Sequence, residues 1–336
     1  NSRRTHIENF TIELPQTSFK MDTIRVRYDS LGAFQHFADQ VHFSFQTLPS
    51  QLTLKDISPF VPALAHFKDP ITIDMNVQGT VNQLECSNLE ITAFNRKFRL
   101  KGDASLQDLS HPGDAYIYGT LSDLSIHTQG MDHLVRNLVS HYTGTPPVLK
   151  RLGDINFRGE ISGYFNDLVT YGLLRTSLGN VQTDLKLSSN KEKGLFSYSG
   201  SVKTHNYKLG TLVANSKLGE ITFNLDVHGR HAAHQLPSIE LKGLVSSIDY
   251  SQYKYENITL DGIYKSGGFN GKVALDDPNG SVLLNGNFNV ATQTPTFNFL
   301  AVIDKVRPHD LNLTDKYADS DLSLKLKADF TGGSTR

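Results

Sequence analysis

The stretch that decides the fold is "LDGIYKSGGFNGKVALDDPNGSVLLNGNFNV", residues 260–290. Apolar residues occupy alternate positions within it, as Val282, Leu284 and Phe288 do, and the residues between them are polar. A period of two marks a β-strand with one dry face and one wet face. The segment "DDPNG" (276–280) interrupts the alternation with a proline and an Asn-Gly pair, which suit a tight turn. The stretch therefore predicts a β-hairpin.

The same alternation recurs along the chain. "EITFNLDVHG" (220–229) places Ile221, Phe223, Leu225 and Val227 on one face, and similar runs occur at 71–79, 155–165 and 181–188. We expect about twenty strands, mostly antiparallel, because parallel strands usually form continuous apolar runs instead. The predicted class is all-β, with an elongated, curled antiparallel sheet that encloses a hydrophobic groove.

Glycine falls repeatedly on the predicted apolar face. Two interpretations stand open: glycine permits sharp bending or open space on this face, or it ends each strand near a turn. The positions are Gly79, Gly102, Gly159, Gly200, Gly229, Gly243, Gly262 and Gly286.

Helices are expected to be few and short. Residues 131–142 carry an apolar stripe at helical spacing, and "TGTPP" follows them. Shorter candidates are 31–39, 58–67 and 209–215. We predict one continuous repetitive β-rich segment over 1–336, without sharp boundaries, in which the helix near 131–142 caps or plugs the groove.

Composition excludes several classes of function. The 336 residues include 33 basic and 34 acidic side chains, a net charge of −1, so no long-range field attracts nucleic acid. The single cysteine, Cys86, allows no intramolecular disulfide. No apolar run approaches the roughly 20 residues that span a bilayer. Since the chain begins with Asn1, we expect it to be an excerpt of a longer protein.

Signatures of catalysis are not found in the sequence. It contains no nucleophile elbow, phosphate-binding loop or dinucleotide fingerprint, and we predict neither an enzyme nor a cofactor. Asp276 and Asp277 lie in the predicted turn, where aspartate serves the backbone. The weak metal candidates are His228, His231 and His234, but glycine at 229 predicts a turn there and no metal site is expected.

Five segments of the chain share a further pattern: 52–64, 69–91, 159–187, 198–229 and 250–286, of which "YSGSVKTHNYKLGTLVANSKLGEITFNLDVHG" (198–229) is an example. In their order along the chain, these segments resemble the AsmA-like superfamily, in the TamB (translocation and assembly module) branch of the Bacteroidota type. The resemblance covers most of residues 50–330.

This resemblance implies a β-taco fold and a location in the periplasm of a Gram-negative bacterium. It also implies anchoring by an N-terminal inner-membrane helix and work with an Omp85-type outer-membrane barrel, both through regions outside these residues. The implied role is outer-membrane biogenesis, by phospholipid transport or by protein secretion and assembly.

Our first hypothesis is a non-enzymatic lipid conduit whose groove shields phospholipid acyl chains. A closed sandwich core is the structural alternative for the same residues. A second hypothesis is a chaperone-like module that pairs its sheet edge with outer-membrane protein strands. A glycan-cleaving β-helix enzyme ranks last. The predicted groove consists of Ile221, Phe223, Leu225, Val227, Leu241, Leu260, Val282, Leu284 and Phe288.

Overall fold

The computed structural model divides the chain into two compact units, Asn1–Ser177 (unit 1) and Leu178–Arg336 (unit 2). Each unit is described by itself. The residues that the structure describes are 3–57, 69–111, 113–138, 144–190, 194–232, 238–265, 267–289, 294–316 and 318–332.

Unit 1 is built on an antiparallel sheet. Strand β2 pairs with β1, β3 and β4, and both β3 and β4 pair with β5. From β5 to β10 each strand pairs antiparallel with the next one along the chain. The strands are β1 (Arg3–Leu14), β2 (Thr17–Tyr28), β3 (His42–Gln46), β4 (Ser50–Thr53), β5 (Pro70–Thr80), β6 (Gln83–Ala93), β7 (Phe98–Gln107), β8 (Tyr116–Ile126), β9 (Ile155–Tyr164) and β10 (Asp167–Thr176).

Unit 2 is simpler, because each strand pairs antiparallel with the next one along the chain. The predicted all-β class, with a curled antiparallel sheet and few short helices, is thereby confirmed. The strands are β11 (Gly179–Asn190), β12 (Leu195–Tyr207), β13 (Leu218–Ala232), β14 (Ser238–Tyr250), β15 (Tyr253–Lys265), β16 (Gly268–Asp277), β17 (Gly280–Asn289), β18 (Thr296–Val306) and β19 (Leu322–Thr331).

The hairpin predicted at 276–280 is confirmed. Asp277 pairs with Gly280 across the turn between β16 and β17, and Gly280 adopts a φ of 130° that favours glycine. The Asp277 carboxylate accepts hydrogen bonds from the backbone N–H groups of Asn279 (2.9 Å) and Glu256 (3.1 Å). This aspartate is buried for backbone reasons, as its position in a turn predicted.

The helices are short. A 3₁₀ turn precedes α1 in the segment predicted at 31–39, and α4 occupies the segment predicted at 209–215, so both predictions are confirmed. The predicted helix at 58–67 and residues 139–143 lie outside the described residues. The helices are α1 (Phe37–Gln40), α2 (Thr128–Leu138), α3 (Pro147–Arg151) and α4 (Leu209–Val213), with 3₁₀ turns at Leu31–His36 and Leu54–Ile57.

Helix α2 contacts the sheet of unit 1. Its residue Leu134 packs against a buried cluster of Ile71, Ala93 and Phe94. At its C-terminal end, the Asn137 amide donates a hydrogen bond of 2.6 Å to an Asp69 carboxylate oxygen. This is the type of contact expected of a helix that covers an open sheet, and its role as a plug stays a prediction.

The repeated glycines lie inside strands and allow close approach between them. A Cβ added to Gly200 would lie 2.0 Å from the carbonyl oxygen of Asp184, and one added to Gly286 would lie 2.2 Å from that of Asn298. At Gly229 an added Cβ would overlap the Tyr198 ring at 2.1 Å. Since no side chain fits these positions, the bending interpretation of the glycines is favoured over the strand-ending one.

Candidate functional site

One face of the unit 2 sheet collects all nine predicted groove residues. Directly paired residues of antiparallel strands point to the same side, and side chains two positions apart along a strand share that side. Val227 pairs with Leu241, and Leu284 pairs with Val273 and Ala301. We call this side the apolar face of unit 2; its predicted members are Ile221, Phe223, Leu225, Val227, Leu241, Leu260, Val282, Leu284 and Phe288.

Four consecutive cross-strand rows of this face contain no charged side chain within the described residues. One of these rows runs Thr183, Val202, Leu225, Gly243, Leu260, Val273, Leu284, Ala301, Leu326. Within the described residues, these four rows therefore offer mainly dispersion and hydrophobic contact.

The burial of these residues is uneven. Ile221 and Leu225 are 8% and 7% exposed, whereas the other seven are only half-buried. A closed sandwich core places the inner side chains of two sheets against each other and buries most of them. Partial exposure of seven apolar side chains instead indicates a face that the described residues cover incompletely.

An aromatic row that was not predicted runs along the same face. Within the row, Phe297 stacks on Phe330 with ring centroids 4.9 Å apart, and Phe288 stacks at 4.7 Å on Phe299 of the adjacent row. Apolar residues also alternate with polar ones at 258–264 and 297–303 in the sequence, but only the strand register brings the rings together. The row consists of Tyr198, Tyr264, Phe269, Phe288, Phe297 and Phe330, with Gly229 and Ile239 between the first two.

The segment 307–316 closes one end of the apolar face. Leu311 is 1% exposed there, and its carbonyl oxygen accepts a hydrogen bond of 2.7 Å from the Tyr255 hydroxyl. The Asn312 amide donates to the carbonyl oxygen of Ser251 at 3.2 Å. Ile221, one of the two well-buried groove residues, lies towards this end.

Burial raises the pKa of Tyr253 to about 12, and its hydrogen bond to Asp277, 2.5 Å between oxygens, adds to the shift. Burial also raises the pKa of Tyr255 and Tyr198. These phenols remain protonated at neutral pH, so the hydroxyl of Tyr253 acts as a hydrogen-bond donor at the closed end of the face.

We expect folding stability to fall as pH rises from about 10 to about 12. In that window the unfolded chain releases the Tyr253 proton, from an ordinary pKa of 10.0, while the folded chain retains it. The unfolded state therefore binds fewer protons, and the free energy of unfolding decreases with pH. Urea unfolding of wild type and Tyr253→Phe between pH 9 and 12 measures this effect.

The difference between the two proteins isolates Tyr253 from the other titrating groups. The wild-type advantage at pH 9 is expected to shrink steadily towards pH 12. Parallel stability profiles for the two proteins would contradict the proposed role of this hydroxyl.

The opposite, polar face of unit 2 is solvated. Lys242 lies between Asp226 and Asp261 across neighbouring strands, and its ammonium is 3.3 Å from the Asp261 carboxylate. Such exposed pairs contribute little stability, about 0–1 kcal/mol. These charged residues favour solvent on one side of each strand. They thereby fix the pairing register, because a shift by one residue would turn the apolar side chains to water.

The histidine candidates do not come together. Strand β13 continues to Ala232, so the turn predicted at Gly229 is wrong. On a strand, His228 and His231 point to opposite faces because they are three residues apart, and His234 lies outside the described residues. No group of three candidate metal ligands was found among the described residues. Burial raises the pKa of the Cys86 thiol, which makes it a poor nucleophile.

Comparison with protein-family models, with curated proteins and with solved structures finds no match in any of the three. In the part of the chain that the structure describes, no helix is long and apolar enough to cross a membrane.

Proposed function

We propose that the apolar face of unit 2 shields phospholipid acyl chains in a non-enzymatic segment that bridges the inner and outer membranes. The observation that carries this proposal is the partial exposure of seven of the nine groove residues. An apolar surface left open to water on a folded protein usually has an occupant. In the part of the chain that the structure describes, four adjacent rows of this face have no charged side chain, which matches a hydrocarbon chain better than a polar cargo.

The energetics favour an acyl chain as occupant. Each methylene that leaves water contributes about 0.8 kcal/mol, so ten methylenes on this face would contribute on the order of 8 kcal/mol before ordering costs. Half-buried side chains such as Leu260 and Leu284 still have area to cover. The stacked rings of Phe288 and Phe299 add flat apolar surface beside them.

The cellular setting rests on the resemblance to TamB-like proteins. It supports the periplasm as location, an inner-membrane anchor, and an Omp85-type barrel as partner of regions outside these residues. The same resemblance connects lipid transport with outer-membrane biogenesis.

The test compares two double variants of the same chemistry on opposite faces. Leu260→Gln with Leu284→Gln changes the apolar face, and Leu244→Gln with Leu300→Gln changes the polar face, where the leucines are 41% and 36% exposed. Each protein is incubated with phosphatidylethanolamine–phosphatidylglycerol vesicles, re-isolated and examined by native mass spectrometry. Circular dichroism verifies that both variants fold.

We expect phospholipid on wild type and on the polar-face variant, and at least a tenfold lower occupancy on the apolar-face variant. Each glutamine leaves a polar amide against the acyl chain and removes apolar contact. Equal occupancy on all three proteins, or on none, would contradict the acyl-chain role.

A second candidate function is strand addition to the edge of β19, as in the chaperone-like hypothesis. Among the described strands of unit 2, β19 pairs only with β18, and its Leu322, Leu326 and Phe330 are 41%, 46% and 51% exposed. An unpaired edge with apolar side chains is a template for another strand. Lys325 and Lys327 on its other side weaken this template, which is why we rank it second.

A further inference from the structure

Three arginines of unit 1 lie together on the polar face of β1 and β2. Arg4 pairs directly with Arg27, and Arg25 lies two residues from Arg27 on the same face. All three are exposed, and they line one cavity of about 610 Å³. His42 pairs with Arg27 on the other side, and His6 pairs with Arg25.

This arrangement leaves positive charge unbalanced. Like charges directly opposite each other on neighbouring strands destabilise a sheet. Within the described residues, none of the three guanidinium groups has an ion pair, and Glu85 is the sole carboxylate that lines the cavity. The whole chain has a net charge of −1, so the excess is local.

A second cavity of unit 1, of about 780 Å³, provides the contrast. Four basic side chains that line it, Arg96, Lys97, Arg99 and Arg175, are accompanied by three carboxylates, those of Asp74, Glu90 and Asp154. Arg99 is bound to Asp123, and the Glu90 carboxylate is 2.8 Å from the Lys101 ammonium. Charge is nearly balanced there by the protein itself, whereas in the arginine cavity it is not.

We infer that the cavity of Arg4, Arg25 and Arg27 binds a phosphate group. Paired residues on neighbouring strands lie about 5 Å apart, and residues two positions apart on one strand lie about 7 Å apart. Three guanidinium forks at that spacing surround one tetrahedral anion, and each fork can donate two parallel hydrogen bonds to it. A phosphate has more negative charge and more oxygens than a carboxylate, so it can accept hydrogen bonds from all three guanidinium groups.

Neutral donors complete the site. Ser44 and Gln78 line the same cavity and follow Arg25 in one cross-strand row. A hydroxyl and an amide can donate to oxygens that the arginines leave free. This inference does not rest on the acyl-chain role, because the arginines lie in unit 1 and the apolar face in unit 2.

The test uses the whole chain and the variant Arg25→Gln with Arg27→Gln. The control is Arg158→Gln, another exposed arginine on a strand of unit 1 that lines neither cavity. Isothermal titration calorimetry at fixed ionic strength measures binding of inorganic phosphate and of glycerol 3-phosphate. Flotation with phosphatidylglycerol-containing phosphatidylcholine vesicles measures binding of a phosphate held in a lipid headgroup. Thermal unfolding with and without phosphate checks that the double variant remains folded.

We expect wild type and Arg158→Gln to bind alike and the double variant to bind at least tenfold more weakly, since each charge-assisted hydrogen bond contributes on that scale. If the double variant no longer binds inorganic phosphate and glycerol 3-phosphate, the ligand is a free phosphate compound. If only binding to the phosphatidylglycerol-containing vesicles is lost, the ligand is a phosphate held in a lipid headgroup. Equal binding by all three proteins to every probe, or no binding by wild type to any probe, overturns the inference.

Discussion

Replacement of Leu225 by aspartate is expected to cost unit 2 on the order of 4 kcal/mol of unfolding free energy. Leu225 is 7% exposed on the apolar face, where it pairs with Val202 and Gly243. A carboxylate there would lose its hydration, and among the described residues the four adjacent rows contain no cation to compensate. The strand would have to open locally, or the carboxyl group would have to take up a proton.

The matched control is Asn224→Asp, one residue earlier on the same strand. Asn224 is exposed on the polar face, where a new carboxylate stays in water and the change is expected to lie within about 0.5 kcal/mol. Urea unfolding followed by circular dichroism measures both variants, and hydrogen exchange localises the loss to β12–β14. Similar stability for the two variants would mean that the apolar face is already wet at Leu225.

This prediction also separates folding from cargo binding. Ile221 and Leu225 are too buried for a test of lipid contact, because their substitution perturbs the fold itself. Half-buried positions such as Leu260 and Leu284 are suitable, since their solvent-exposed fraction is available to a ligand. The sequence placed all four in one set, and only the structure divides them.

The parts of the fold that depend on neighbouring residues in the sequence could be predicted from it. Alternation identified the strands, and the proline with the Asn-Gly pair identified the hairpin at 276–280. The turn predicted at Gly229 is wrong because that prediction also used local sequence alone. Glycine often marks a turn, but Gly229 lies inside a strand and makes room for the Tyr198 ring. Local sequence contains no information on which ring lies across the next strand.

The arginine cavity shows what depends on register alone. "NSRR" at the chain start contains Arg4, but Arg25 and Arg27 lie about twenty positions later. Charge patterning along the sequence did not single them out, because no dense basic run exists. Antiparallel pairing of β1 with β2 folds the chain back and places Arg4 opposite Arg27. A proposed phosphate site of this kind can be recognised only when the strand pairing is known.

The second large effect is expected at one of the repeated glycines: Gly286→Ala is expected to destabilise unit 2 by about 2–4 kcal/mol. Gly286 has a φ of 151°, and an added Cβ would lie 2.2 Å from the carbonyl oxygen of Asn298 and 2.5 Å from the Cα of Phe299. Both neighbours are backbone atoms of β18, so relief requires the two strands to separate. The stacked ring pair of Phe288 and Phe299 would then lose its contact.

Gly119→Ala is the matched control, because that glycine also lies inside a strand, β8, but has room. An added Cβ at Gly119 would lie 3.5 Å from its nearest neighbour, an ordinary contact, and its φ is not in the left-handed region. The control is expected to be neutral or slightly stabilising, since alanine restricts the unfolded chain. Urea midpoints of the two variants give the comparison.

A Gly286→Ala protein as stable as Gly119→Ala would show that the strands can relax apart at this row, and the glycines would then not be needed for the bend. Large destabilisation confined to Gly286→Ala would mean that the close approach of β17 and β18 at Gly286 shapes the apolar face on which the proposed acyl chain lies.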